Sequence, residues 1–130
     1  AEPAASSIAV LNLLAQARLT GDAAYQARAE AVLTSWGERL RRQPRVAPGM
    51  LAALATSMVP AAEVAIVGGA DPAAARALHH AVDRHFLPAA VVIPIAPAAV
   101  TALRVVAPWT AAIAEAARPP AAFLCRDFVC

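Results

Sequence analysis

Apolar residues recur at helical spacing through roughly the first forty positions. Ile8, Leu11, Leu14, Ala15 and Leu19 form one run, and Tyr25, Ala29, Val32, Leu33, Trp36 and Leu40 form a second with a stronger period. Arg28, Glu38 and Arg39 fall mostly on the opposite side of the second run, as expected of an amphipathic helix. Between the runs, Gly21 supplies a residue that tolerates the left-handed conformation ending a helix, and Asp22 supplies an N-cap for the next. Ser6 or Ser7 is read as the cap of the first helix. So short a link predicts an antiparallel helical hairpin.

Pro44 and Pro48 bracket a loop, after which Met50, Leu51, Leu54 and Met58 predict a third helix that Pro60 stops. The pattern then changes. Glu63 to Val67 is a short β-branched run ending at Gly68-Gly69, and Ala90 to Ile93 is another. Between them Asp71-Pro72 starts a helix with the apolar stripe Ala75, Leu78, Val82 and Phe86. Strand, helix and strand in this order predict a βαβ unit with parallel strands. Val100 to Val106 fits helix or strand, Trp109 to Ala117 a short helix, and Ala122 to Cys125 a last strand that can continue to Val129. The fold class is thus mainly α with a small α/β part, divided into a helical stretch over residues 1–60 and an α/β stretch over residues 61–130.

Composition narrows the functional classes. Hydrophobic residues make up 60% of the 130, but much of that is Ala, which buries little area. All 11 basic residues are Arg, and the net charge is only +2. The basic group Arg39, Arg41, Arg42 and Arg45 sits at a helix end, where cations complement the macrodipole. A nucleic-acid partner is therefore not expected. The uncharged stretches 46–62 and 86–103 are broken by prolines, so no membrane span is expected either. The start, Ala1-Glu2-Pro3, has no initiator Met and no leader pattern, and Cys130 follows directly on a strand-like run. Both ends read as cuts in a longer, cytoplasmic protein.

Several stretches together resemble the C-terminal end of one family. They are Glu2-Pro3 followed by Ser6-Ser7-Ile8; Ala17 to Asp22 with Tyr25 and Ala29; Glu63 to Gly68; Phe86-Leu87-Pro88; and Cys125-Arg126-Asp127-Phe128-Val129-Cys130. The resemblance is to the spermatogenesis-associated, thioredoxin-domain-containing proteins. It implies a parent with an N-terminal thioredoxin-like domain and an α/α toroid of the six-hairpin glycosidase type. The hairpin would then close the toroid, and the βαβ piece would be an appendage. Ala4, Ala5 and Ser6 stand where the family's entry is similar to Ser-Gly-Asn, and Asp127 and Val129 where Asn and Thr are commoner. The implied parent is carbohydrate-active or epimerase-like, with a thiol-linked redox or chaperone-like role and a non-catalytic scaffold as alternatives.

Candidate sites follow. In a toroid, Glu2, Ser6 and Ser7 would lie in a loop facing the central pocket, where sugar chemistry needs a pair of carboxyl groups. Only Glu2 is a candidate acid there, and capping is the default role of the serines. Cys125 and Cys130 enclose four residues. On a straight strand residues five apart point to opposite faces, so buried structural thiols are expected first, a disulfide or redox pair second and a metal site last. His79, His80 and His85 are the remaining metal candidates, but His79 and His85 fall nearly on opposite sides of their helix. Gly68-Gly69 lacks the full phosphate-binding pattern and is followed by Asp71, which opposes an anion. No cofactor is implied. The expected partners are the rest of the parent chain and, through exposed apolar helix faces, a second copy.

Overall fold

The computed structural model describes residues 4–130. They form two compact units: residues up to Ala17 together with Asp22–Pro60, and Arg18–Gly21 together with Ala61–Cys130. Six α-helices, two short 3-10 turns (Pro44–Val46 and Pro97–Ala99) and one three-stranded sheet make up the regular structure among the described residues, so the chain is mainly α with a small α/β part.

The first unit holds most of α1 (Ala5–Thr20), with α2 (Ala23–Arg42) and α3 (Pro48–Met58). Asp22 caps α2 as expected, its Oδ1 accepting from the Ala24 amide at 2.8 Å. Such a cap is worth about 1 kcal/mol. The core joins Val10 and Leu14 of α1, Ala29, Leu33 and Leu40 of α2, and Met50 and Ala53 of α3, with Leu11, Val32, Trp36 and Leu54 packed partly against it. Two expectations about α1 are corrected. The helix begins at Ala5, so Ser6 and Ser7 lie inside it, and the Ser7 hydroxyl donates back to the Ala4 carbonyl at 2.7 Å instead of capping an amide. The buried face runs through Ser7, Val10 and Leu14, while Ile8 is 42% exposed. Apolar residues occur all round α1, so spacing alone could not choose its inner face. Helix α3 likewise starts at Pro48, an ordinary first helical position, and leaves Met58 exposed.

At the end of α2 the arginines behave as solvated helix-end cations. Arg41 and Arg42 pair with Glu38 at 3.0 and 2.6 Å, and Arg39 lies over the Trp36 ring at 5.1 Å. Hydrogen bonds from Arg41 and then Arg42 hold the Glu38 carboxyl below its ordinary range. All three side chains are exposed, and exposed pairs contribute little.

The second unit runs β1 (Ala62–Val67), α4 (Pro72–Asp83), β2 (Ala90–Ile95), α5 (Val100–Val106), α6 (Thr110–Ala116) and β3 (Ala121–Cys125). Sheet order is β2–β1–β3, with β1 parallel to β2 and antiparallel to β3. The βαβ expectation holds, and Val100 to Val106 resolves as helix. Pro94 lies within β2, which is possible because β2 is an edge strand. The register sorts side chains into two faces. The cross-strand rows Val91–Glu63–Cys125, Ile93–Ala65–Phe123 and Ile95–Val67–Ala121 share one face. It packs with Val100, Leu103, Trp109 and Ile113 from the α5–α6 region and with Leu19. Each large aliphatic side chain buried there contributes about 2 kcal/mol.

Helix α4 is capped by Asp71, whose Oδ1 accepts from the Ala73 amide at 2.8 Å. It ends at Asp83, earlier than its apolar stripe suggests, and Phe86 is left 91% exposed. Leu87 precedes Pro88, and a residue before proline is pushed out of the helical region. The last strand stops at Cys125 and does not continue to Val129.

Candidate functional site

The chemistry concentrates where β1 begins and β3 ends. Beyond β3, Arg126 and Val129 exchange two backbone hydrogen bonds, at 2.9 and 3.0 Å, across a two-residue turn. Asp127 and Phe128 both have positive φ, 50° and 65°, the pattern of a type I′ hairpin turn. With Arg126 opposite Val129, the next residues outward, Cys125 and Cys130, face each other with Cα atoms 4.0 Å apart and form a disulfide. This corrects the expectation of buried structural thiols. The alternation that sends residues five apart to opposite faces applies to a straight strand, and a tight hairpin between them makes them direct cross-strand neighbours.

Phe128 pays a steric penalty of about 1–2 kcal/mol for its left-handed backbone. Three interactions offset it. Its ring packs on Trp109 with centroids 5.5 Å apart, and it lies where a Cβ on Gly21 would make ordinary contact, at 3.6 Å. Its amide donates to Glu63 Oε2 at 3.2 Å. Trp109 is anchored in turn, its indole N–H donating to the Leu19 carbonyl at 2.9 Å. Gly21 itself has φ 75°, so the expected helix-ending glycine also lines the seat of Phe128.

Glu63 is fully buried at the head of an otherwise apolar strand, and Cys125 is its cross-strand partner on β3. Its Oε1 has no hydrogen-bond partner among the described residues. Burial pushes the carboxyl above its ordinary range; the Phe128 amide works against this, the Asp127 charge adds to it, and Arg18 opposes it. Arg18 is also buried, which lowers its own proton affinity, while the Glu63 charge raises it. The arrangement is a disulfide between a fully buried Cys125 and an exposed Cys130, with a protonatable carboxyl tied into the same loop.

The other candidates lie elsewhere. Glu2 falls outside the described residues. Ser7 is buried in the first unit, where its hydroxyl fills the space that a Cβ on Gly49 would need. His79 and His80 approach Asp83 at 3.1 and 4.0 Å. Among the described residues no group of three or more His, Cys, Asp or Glu side chains could hold a metal ion. No helix among them is long and apolar enough to cross a membrane. Gly69 follows β1 where a Cβ would meet Pro119 at 3.2 Å, so close packing accounts for this glycine. At Gly68, a cavity of about 180 Å³ is lined largely by Ile66, Ala75, Pro94 and Ile95, with Arg76 and His79. Sequence reasoning missed Glu63, Arg18 and Phe128 as parts of a site. The available signal was a carboxylate opening a β-branched run, because a buried strand rarely admits an acid without a reason.

Comparison with known proteins gives a partial match. Over 93 residues, 72% of this chain, the sequence is 32% identical to spermatogenesis-associated protein 20 of Rattus norvegicus. The chain spans only 12% of that relative's length. No family model matches the sequence, and no solved structure matches it.

Proposed function

We propose that this chain is a C-terminal part of a larger protein of the spermatogenesis-associated, thioredoxin-domain-containing type, and that its own chemistry is thiol–disulfide exchange at Cys125–Cys130. The observation that carries this reading is the asymmetry of the disulfide: Cys130 is exposed, and Cys125 is fully buried beside Glu63. An incoming thiolate is thereby directed to one sulfur, which makes the other the leaving group. In the cytoplasmic setting proposed with it, such a disulfide would be transient and catalytic or redox-sensing. The thioredoxin-like domain implied for the parent would be the dithiol partner.

The parent's main activity is proposed as carbohydrate-active or epimerase-like, with α1 and α2 as the end of an α/α toroid. What supports it is the helical hairpin closed by Gly21 and Asp22, together with the partial match to a much longer relative. The fragment would not carry that activity alone, since sugar chemistry needs a pair of carboxyl groups and Glu2 is a single candidate acid. The exchange reading is tested by equilibrating the folded chain with thiol–disulfide buffers and trapping free thiols by alkylation. A potential above about −300 mV is expected, in the range of exchangeable pairs. A pair that stays oxidised until the chain unfolds would make the disulfide purely structural.

A further inference from the structure

We infer that Glu63 is the proton donor to the Cys125 sulfur when the Cys125–Cys130 disulfide opens. The inference rests on the exchange reading above and assigns the residue that completes it. Its basis is placement. Glu63 and Cys125 are direct partners in the β1–β3 register, so their side chains leave the same face of the sheet as near neighbours. The Glu63 carboxyl reaches into the loop that the disulfide closes, where Oε2 accepts from the Phe128 amide at 3.2 Å. The other oxygen, Oε1, is buried without a hydrogen-bond partner among the described residues, and it is the one available to carry a proton.

The chemistry balances without any further group. A thiolate from a dithiol attacks the sulfur of Cys130, the exposed residue of the pair, forming a mixed disulfide. The Cys125–Cys130 bond breaks, and its electron pair goes to the Cys125 sulfur. That sulfur is buried, where an unpaired thiolate is costly, so it takes the Glu63 proton and leaves as a neutral thiol. Glu63 becomes a carboxylate, stabilised by the Phe128 amide and by the positive charge of Arg18. The second thiol of the donor then loses its proton to solvent and attacks its own partner sulfur. Cys130 is released as a thiolate that takes a proton from water. Two electrons have passed from the dithiol to the cysteine pair.

Of the charges that act on Glu63, Arg18 comes from the end of α1 and Asp127 from the turn. Arg18 does not serve as the donor, because a guanidinium keeps its proton throughout the accessible range. Asp127 is exposed on the turn, whereas Glu63 is buried next to the leaving sulfur. Leu103, Trp109 and Ile113, which pack on the same face of the sheet, carry no titratable group. Burial also favours the protonated carboxyl, which keeps the donor loaded above the ordinary range of a glutamic acid.

The test is the pH dependence of reduction of the 130-residue chain by dithiothreitol, with rates divided by the thiolate fraction of the reagent. The corrected rate is expected to fall as pH rises through the titration of Glu63. Glu63→Gln keeps an oxygen for the Phe128 amide but has no acidic proton. It should lose the step and react about tenfold more slowly on the acid side. An unchanged profile and rate in Glu63→Gln would overturn the assignment while leaving exchange at the disulfide intact. Should that variant not fold, the wild-type profile is compared with the carboxyl titration followed by carbon-13 NMR. Coincident midpoints support the donor role, and a flat profile overturns it. Resistance to dithiothreitol in the folded state at every pH would remove the exchange reading itself, and this assignment with it.

Discussion

The amide of Phe128 and the carboxyl of Glu63, 65 positions apart in the chain, are joined by a hydrogen bond of 3.2 Å that ties the terminal turn to the first strand of the sheet. Glu63 is fully buried and Phe128 has a left-handed backbone, so each is costly by itself. The bond gives the turn an anchor and gives the carboxyl one partner.

Stability is expected to fall as pH rises. The folded-state pKa of Glu63 lies above its ordinary value, chiefly through burial. The folded chain therefore binds more protons than the unfolded chain between those two values. Stability is highest below the unfolded pKa and declines as pH climbs through the folded one. Denaturant titrations of wild type and Glu63→Gln across this window should show a slope in the first that is reduced in the second. Equal slopes would place the pH dependence on another group.

Phe128→Ala should destabilise the second unit by about 2 kcal/mol. The substitution removes a half-buried ring from Trp109 and Gly21 while leaving a left-handed non-glycine residue behind. Trp109 fluorescence and the urea midpoint together measure the loss. A change below about 0.5 kcal/mol, the range of ordinary surface substitutions, would mean that the ring does not hold the turn.

Reduction of the disulfide should cost about 2 kcal/mol, the loop-entropy value for so short a closed loop. Comparing the oxidised chain with the Cys125→Ala, Cys130→Ser double variant by thermal melting gives the number. An effect confined to the second unit is expected, because both cysteines belong to it. Equal loss in both units, resolved by amide exchange, would contradict that confinement.

Self-association is expected to involve large apolar side chains that packing leaves exposed. The apolar face of the hairpin is mostly occupied by its own core: Leu14 is buried, and Leu11, Val32 and Trp36 pack partly against it. The most exposed large apolar side chains among the described residues are Phe86 at 91%, Val105 at 83% and Met58 at 76%. Sedimentation at rising concentration should show association that Phe86→Ser weakens without lowering the melting temperature. A concentration-independent monomer would count against a second copy as partner.

The division between sequence and tertiary structure is visible at particular residues. Local chemistry sufficed wherever one residue type has one favoured job. Asp22 and Asp71 cap helices, Gly21 takes the left-handed position, and the β-branched runs at Val64 to Val67 and Val91 to Ile93 form parallel strands about a helix. Local chemistry did not choose the inner face of α1, where apolar residues surround the helix, or the end of α4, where Phe86 continues the spacing but lies beyond the helix. Nor could it find the site. Cys125-Arg126-Asp127-Phe128-Val129-Cys130 contains no glycine or asparagine to announce a type I′ turn, and the left-handed Phe128 is tolerated only because Trp109, Gly21 and Glu63 receive it. Pairing β1 with β3 then puts Glu63 beside Cys125. The cysteines were legible as residues, but their bond and its acidic neighbour follow from contacts that tertiary packing alone brings together.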